Sequence, residues 1–333
     1  MKECIDVLRV LDGSAWLSSQ IIAGRLGVST AMVRSRVRAL RTFGFEIQGC
    51  SGAGYRLSES LEFLDHQRLR DTLTAAGLVT ANRLEVMDTV ESTSTRLLRW
   101  PSDDDLHGRA CMTEYQSQGR GRQGRVWYGV PCRNIMLSLA WQLTRGPSRI
   151  QGLSLSLGLT VARRLKGLGA RDIQLKWPND VLCQSGKLAG ILVDVVDGPG
   201  NACRVVVGLG INLLNPVSIE DQAGRQVANL SKVAEILPDR TDLAAMLLMD
   251  LSAALAEFDR NGFKGQVADW NRFDAYRSRV VCARVADSTI TGQALGADDQ
   301  GAYRIGSADG SVESVLTGEI IPVTAGSAIC TPS

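Results

Sequence analysis

Gly119-Arg120-Gly121-Arg122-Gln123-Gly124-Arg125 sets three arginines among three glycines in seven residues, and Trp127-Tyr128 follow close behind. Arginine carries a rigid, permanently charged fork of donors that matches carboxylate and phosphate oxygens. Glycine lets the backbone approach an anion closely and take positive φ. Together they suit a site that brings an anionic substrate up to a nucleotide phosphate. An Arg/Gly-rich nucleic-acid tail or a solvated loop is the plainer alternative, but the stretch lies between the apolar runs Ala110-Cys111-Met112 and Ile135-Met136-Leu137. Other clusters accompany it. Lys176-Trp177-Pro178-Asn179-Asp180 gathers a lysine, an amide and a carboxylate around a rigid turn. Lys187-Leu188-Ala189-Gly190-Ile191 opens a strand with a lysine and a small-residue step, and Gly208-Leu209-Gly210-Ile211-Asn212 is expected to end a strand in a Gly-rich turn. Ser92-Thr93, with Gln116, offers short polar donors and acceptors.

These residues need elements to hold them. Leu84 to Val90 reads as a strand, followed by serines and threonines that cap a helix. Ile135–Leu143 and Val205–Leu209 read as buried strands. The leucines of 153–161 alternate as in a strand, yet the length and the basic run into Gly167 favour a buried helix. Thr241 is expected to cap a long helix with Leu243, Met246, Leu247, Leu251, Leu255 and Phe258 inward, closing at Asn261-Gly262. A short helix is expected at Leu69 to Ala76. From about 274 the chain is strand-like and turn-rich, a small β-barrel or sandwich.

The first 56 residues read as a helix-turn-helix. Ile5, Leu8, Val10 and Leu11 suit a first helix. Ser18-Ser19 cap a second with Ile21, Ile22 and Leu26 inward, and Ser29 caps a third carrying Met32, Val33, Val37 and Leu40. Arg34, Arg36, Arg38 and Arg41 are expected on or near its outer side, and residues 45–57 as a hairpin wing bearing Arg56. DNA contacts are expected from Ser29 and these five arginines.

Composition narrows the class. Of 333 residues 44% are hydrophobic and 22% charged, with a net charge of +2, so any nucleic-acid signal must be local. No apolar run is long enough for a membrane span, and the N-terminus does not read as a signal peptide. Eight cysteines, at 4, 50, 111, 132, 183, 203, 282 and 330, form no CxxC pair, which points to reduced thiols in a cytoplasmic protein.

Taken in order, EYQSQGRGRQGRVW at 114–127, KWPNDV at 176–181, KLAGIL at 187–192, GLGIN at 208–212 and the EST of 91–93 resemble the biotin–protein ligases, in the bifunctional form that also represses the biotin operon. Ser94 stands where that family often has asparagine, and Tyr128-Gly129-Val130-Pro131 replaces a Ser-Pro type turn. The resemblance implies an α+β protein. Residues 1–60 would be a winged helix-turn-helix, 61–82 a linker with a short helix, 83–272 a mixed α/β catalytic domain of the biotin/lipoate ligase type, and 273–333 an SH3-like β-barrel. It implies ATP, biotin and Mg²⁺ as ligands, biotin carboxyl carrier protein and operator DNA as partners, a homodimer when liganded, and no membrane. The implied catalytic residues are Lys187, Arg122, Arg120 and Asp180. Biotin would meet Ser92, Thr93, Ser94, Gln116, Gly119, Arg120, Lys187 and Gly190, and the nucleotide Arg122, Arg125, Trp127, Asn179 and Asn212. Mg²⁺ would come with the ATP phosphates, with Asp180 as a candidate ligand. Loops 120–125 and 215–226 would order on adenylate binding. The rival readings are a DNA-binding biotin sensor with a decayed ligase half, and a lipoate- or octanoate-transferring relative.

Overall fold

A computed structural model describes residues 1–323 except 14, 102–104, 145, 147–149, 185, 198–202, 217, 218, 220–222, 225 and 287. Cys330 and part of the 215–226 segment therefore lie outside the described residues.

Three helices, α1 (Lys2–Leu11), α2 (Ser19–Leu26) and α3 (Thr30–Thr42), pack with a hairpin of β1 (Ile47–Cys50) and β2 (Gly54–Leu57). Ser18 and Ser29 cap α2 and α3 through their hydroxyls, and Gly27 ends α2 at φ 64°. The inner face of α3 is Val33, Val37 and Leu40. Position 36 lies beside them on the helical wheel, next to Leu40, so Arg36 is buried and pairs with Glu3 at 3.0 Å instead of facing outward. The same geometry corrects two core assignments: Ile21 and Met32 point to solvent, and Ile22 and Val33 fill the core.

The centre of the molecule is a seven-stranded mixed sheet in the order β3-β4-β5-β9-β8-β7-β6. Its strands are β3 (Leu84–Val90), β4 (Ala110–Gln116), β5 (Asn134–Leu143), β6 (Gln174–Lys176), β7 (Asp180–Cys183), β8 (Gly186–Asp197) and β9 (Cys203–Asn212). Only β3 and β4 run parallel. The helices Leu153–Gly167 and Arg240–Asn261 share one core with it. Leu153, Leu155, Leu157 and Leu159 are all buried, as a helix apolar all round requires. The long helix starts two residues earlier than expected. Asp239 accepts from the Thr241 amide as its cap, while the Thr241 hydroxyl takes the amide of Asp65. Gly208 to Asn212 is strand, not turn, because β9 is paired on both sides, with Met136↔Gly210 and Gly190↔Gly210 in register.

The segment joining the N-terminal unit to the sheet is tied down. Glu114 and Arg240, each almost fully buried, form an ion pair. Glu114 also accepts from the Leu64 amide at 2.6 Å, and Arg240 donates to the Glu62 carbonyl. The helix that follows spans His66–Ala75, with Asp65 as its cap.

Five C-terminal strands, β10 (Val280–Val285), β11 (Ser288–Ala297), β12 (Tyr303–Gly306), β13 (Val312–Val315) and β14 (Glu319–Pro322), form one antiparallel sheet in the order β13-β12-β11-β10-β14. Among the described residues this is one sheet rather than a two-sheet sandwich. No helix among them is long and apolar enough to cross a membrane.

Candidate active site

A cleft of about 830 Å³ opens over the face of β8 and β9, and its walls are the motifs singled out by sequence. Its floor is bare for a reason. Gly190 and Gly210 face each other across the strand pair, and Gly208 lies two residues along. A Cβ on Gly210 would stand 2.5 Å from the Trp127 ring, and one on Gly208 would stand 2.7 Å from the Ser94 hydroxyl. The glycines let the indole lie on the sheet. Lys187 Nζ sits 5.8 Å from the centre of that ring, and Trp127 Nε1 is buried without a partner among the described residues.

The Gly/Arg loop closes on itself. Trp127 N donates to Gly119 O at 2.9 Å and Gly121 N to Arg125 O at 2.7 Å, with Gln123 and Gly124 at positive φ at the tip. Gly119 is needed where the chain crosses, since a Cβ there would stand 2.4 Å from the Trp127 carbonyl. The three arginines then take different roles. Arg120 makes a two-pronged pair with Asp194 of β8 at 3.0 and 3.1 Å. Arg125 reaches Glu319 at 2.5 Å. Arg122 lines the cleft without a carboxylate in salt-bridge range among the described residues, and burial lowers its pKa, with Asp180 opposing that effect.

The Lys176–Asp180 segment is the β6–β7 turn, with a cis Trp177-Pro178 bond. Trp177 is buried and donates from Nε1 to the Gly301 carbonyl at 3.0 Å, so this turn is held by the C-terminal sheet. Asn179 donates from Nδ2 to Ile191 O at 2.8 Å and accepts from Ile191 N at 2.9 Å, tying the turn to β8. Asp180 holds Lys187 Nζ at 2.5 Å, both side chains largely buried.

Ser92, Thr93, Ser94 and Gln116 form the narrow end. Ser92 caps the short helix Thr93–Leu98. Thr93 donates from both its amide and its hydroxyl to Gln116 Oε1, at 2.7 and 3.1 Å. Neither ionised side chains nor thiols occur in this quartet.

The cleft thus gathers Ser92, Thr93, Ser94, Gln116, Arg120, Arg122, Arg125, Trp127, Asn179, Asp180, Lys187 and Gly190. Gly119 lies behind it. Asn212 does too: its side chain donates to Lys187 O at 3.0 Å and accepts from Asn134 and Asn215 at 3.2 and 2.9 Å. It borders a smaller cavity of about 270 Å³ beside Trp127 and Tyr128.

Two residues went unnoticed in the sequence. Glu319, at the start of β14, accepts from Lys176 at 3.0 Å as well as from Arg125. Burial pushes its carboxyl up, but the Arg125 hydrogen bond and the Lys176 charge outweigh that and hold it at about 2. Nothing local distinguishes this glutamate from other surface acids. Ser138, fully buried on β5, bonds to both Thr93 and Ser94. A hydroxyl inside the apolar run 135–141 was its available signal.

In the N-terminal unit Arg34 and Arg38 are exposed and make no ion pair among the described residues. The others are committed elsewhere. Arg36 pairs with Glu3, Arg41 donates to Ile47 O at 3.0 and 2.6 Å, and Arg56 lies over Trp16 and donates to Gln48 at 2.6 Å. Ser29 serves as a cap.

Residues 86–212 match the biotin/lipoate A/B protein ligase family. The chain is 34% identical to the bifunctional ligase/repressor BirA of Salmonella typhimurium and 33% identical to that of Escherichia coli, each over 95% of this chain and 96% of the relative. A biotin protein ligase from Aquifex aeolicus, solved in complex with biotin and ATP, matches with a TM-score of 0.61 at 26% identity, covering 73% of this chain and 99% of that one.

Proposed function

Since the chain belongs to the biotin/lipoate A/B protein ligase family, we propose that it is a biotin–protein ligase and a biotin-dependent repressor. It activates biotin with ATP to biotinyl-5′-adenylate, releasing pyrophosphate. It then passes the biotinyl group to a lysine of a biotin carboxyl carrier domain. One observation carries the reading: a neutral hydrogen-bonding pocket and a cluster of cations share one cleft, and Arg122 stands there without a carboxylate partner among the described residues.

In the first step a carboxylate oxygen of biotin attacks the α-phosphorus of ATP, and the bond to the β-phosphate oxygen breaks. Two anions approach each other, so fixed cations must offset their repulsion. Lys187 and Arg122 are placed to do so at the middle of the cleft, with Lys176 and Arg125 at its mouth. Lys187 is aimed by Asp180 from its side chain and by Asn212 from its main chain. In the second step the acceptor lysine, as a neutral amine, attacks the acyl carbon and AMP leaves. The same two cations then stabilise the departing phosphate. Trp127, flat on the glycine floor, walls the site from water.

No group of three His, Cys, Asp or Glu among the described residues is arranged to hold a metal, and both cleft carboxylates, Asp180 and Glu319, are in ion pairs. These residues fit Mg²⁺ carried by the ATP phosphates with mostly water ligands, where it would neutralise phosphate charge; Asp180 is the nearest protein candidate beside Lys187. Biotin rather than lipoate is favoured because a ring without N–H groups would leave the narrow end unanswered.

The N-terminal unit is taken as the winged helix-turn-helix, spanning residues 1–60, and residues 273–333 as an SH3-like barrel. The unit docks operator DNA as a liganded homodimer. Arg34 and Arg38 are its phosphate or base contacts, and Arg36 is structural. Replacing Arg34 or Arg38 with alanine is expected to lower the slope of log affinity against log salt by about 1 each. Arg36→Ala is expected to lower Tm instead, and equal salt effects from all three would reject the assignment.

The activity test is direct. The protein is incubated with biotin, MgATP and an apo-carrier domain, and the intact mass of the carrier is measured. A gain of one biotinyl group is expected. Adenylate without transfer would point to a sensor or a wrong acceptor, and neither product would overturn the ligase reading. A gel shift with a candidate operator, with and without biotin plus ATP, tests repression; binding indifferent to the small molecules would reject it.

A further inference from the structure

We propose that Ser138, which does not itself line the cleft, fixes the hydrogen-bond polarity of the substrate pocket, and that Ser94 thereby presents to the ligand an acceptor that cannot turn into a donor. The inference rests on the biotin reading above and concerns the cyclic urea end of that substrate.

Each hydroxyl has one hydrogen to give. The Thr93 amide, which can only donate, meets Gln116 Oε1 at 2.7 Å, and this settles which atom of that side chain is oxygen. The Thr93 hydroxyl lies 3.1 Å from the same oxygen, so it must donate to it, and its single hydrogen is used. Ser138 Oγ is 2.8 Å from Thr93 Oγ1, which can now only accept, so Ser138 donates. Ser94 Oγ is 2.9 Å from Ser138 Oγ, whose hydrogen is also used, so Ser94 donates in turn. The chain runs one way, from Ser94 to Ser138 to Thr93 to Gln116. All three hydroxyls are at most 4% exposed, so no solvent competes to reverse it.

What faces the cleft follows. Ser94 Oγ has only lone pairs left, and Gln116 Nε2 offers two N–H groups with no hydrogen bond among the described residues. An acceptor beside a donor is the complement of an N–H beside a carbonyl, as in a cyclic urea. Gly208 keeps the arrangement intact, because a Cβ there would stand 2.7 Å from Ser94 Oγ. An asparagine at 94 would offer both an acceptor and donors, so the one-way chain is a property of the serine.

The test uses the full-length protein, biotin, and the two cyclic carbamates in which one ring N–H of biotin is replaced by oxygen. Binding is measured by calorimetry. The wild type is expected to reject one of the carbamates by tenfold or more, because two lone pairs then face each other. In Ser138→Ala the Ser94 hydrogen is released and can turn toward the ligand. That variant is expected to bind biotin several-fold more weakly and to discriminate at least threefold less. The KM for biotin rises with kcat and the KM for ATP unchanged, and Ser138→Thr restores discrimination. Unaltered discrimination in Ser138→Ala, with Tm held, would overturn the proposal. Should Ser138→Ala fold poorly, Thr93→Val breaks the same chain and must narrow the discrimination likewise. Failure of the wild type to bind biotin at all would instead reject the functional reading beneath it.

Discussion

At the narrow end of the cleft, Thr93, Ser94, Ser138 and Gln116 answer one another through hydrogen bonds, and every partner sits on a strand or a helix start. From the middle to the mouth, Lys187, Lys176 and Arg125 are answered by the carboxylates of Asp180 and Glu319, with which an anionic ligand would compete. The first region is preorganised: its hydroxyls are bonded to one another before any ligand arrives, the Gln116 N–H groups are left for the ligand, and binding adds contacts without reorganising the wall. The second is provisional. Its cations come from a loop, a turn and a strand opening, and Glu319, which answers two of them, lies in the C-terminal sheet. Recognition of a neutral ring tolerates rigidity, whereas a reaction between anions needs charge that is held ready and then redirected. The two ends should therefore respond to substitution in different kinetic constants.

Lys187→Ala is the largest expected effect. Removing a cation aimed at charge developed in the transition state costs about 10²–10³ in rate, so adenylate formation, followed by pyrophosphate release, should fall by that factor. Biotin binding without nucleotide should change far less. A comparable loss of biotin affinity would erase the division between the two ends.

Gly210→Ala probes the floor they share. The added methyl would stand 2.5 Å from ring carbons of Trp127, so the indole must leave the sheet. Displacing a wall by about 1 Å can cost about 10²-fold in kcat/KM, and the Trp127 fluorescence should shift with it. An unmoved spectrum with full activity would show that the glycine floor is not what seats the ring.

These outcomes bear on how far the sequence could be read. The Gly/Arg loop, Lys176–Asp180 and Lys187 are local strings whose residue types announce an anion site, and the structure brings them into one cleft. Ser92 was legible for another reason, as a helix cap after a strand. The errors have geometric causes. Gly208–Asn212 looked like a turn because glycines often make turns. Here they are strand residues stripped of side chains so that Trp127 can lie flat, a demand that exists only in three dimensions. Arg36 looked like a surface cation because its neighbours are; one step around the helix puts it inside. Asn212 had the right type for a ligand contact, but its side chain bonds Lys187, Asn134 and Asn215 and borders the smaller cavity instead. Glu319 lies 194 residues from Arg125, and no string of sequence links them.

Glu319→Gln is the smallest expected effect and the sharpest test of the provisional end. With its carboxyl held at about 2 against an ordinary value near 4.5, the charged form is favoured in the folded protein. A depressed pKa contributes stability that is full above the unfolded value and is lost as pH falls toward the folded one. The Tm difference between wild type and Glu319→Gln should therefore be full at pH 7 and shrink progressively below about pH 4.5. At neutral pH the variant releases Arg125 and Lys176 from their common partner, so the KM for ATP should move while the KM for biotin does not. If the carboxylate mainly neutralises cations that phosphate must otherwise win over, the KM for ATP falls. If it mainly aims them, the KM rises. A shift in the KM for biotin, or a Tm difference that persists undiminished to pH 3, would mean that Glu319 braces the whole cleft, and the contrast between its two ends would not stand.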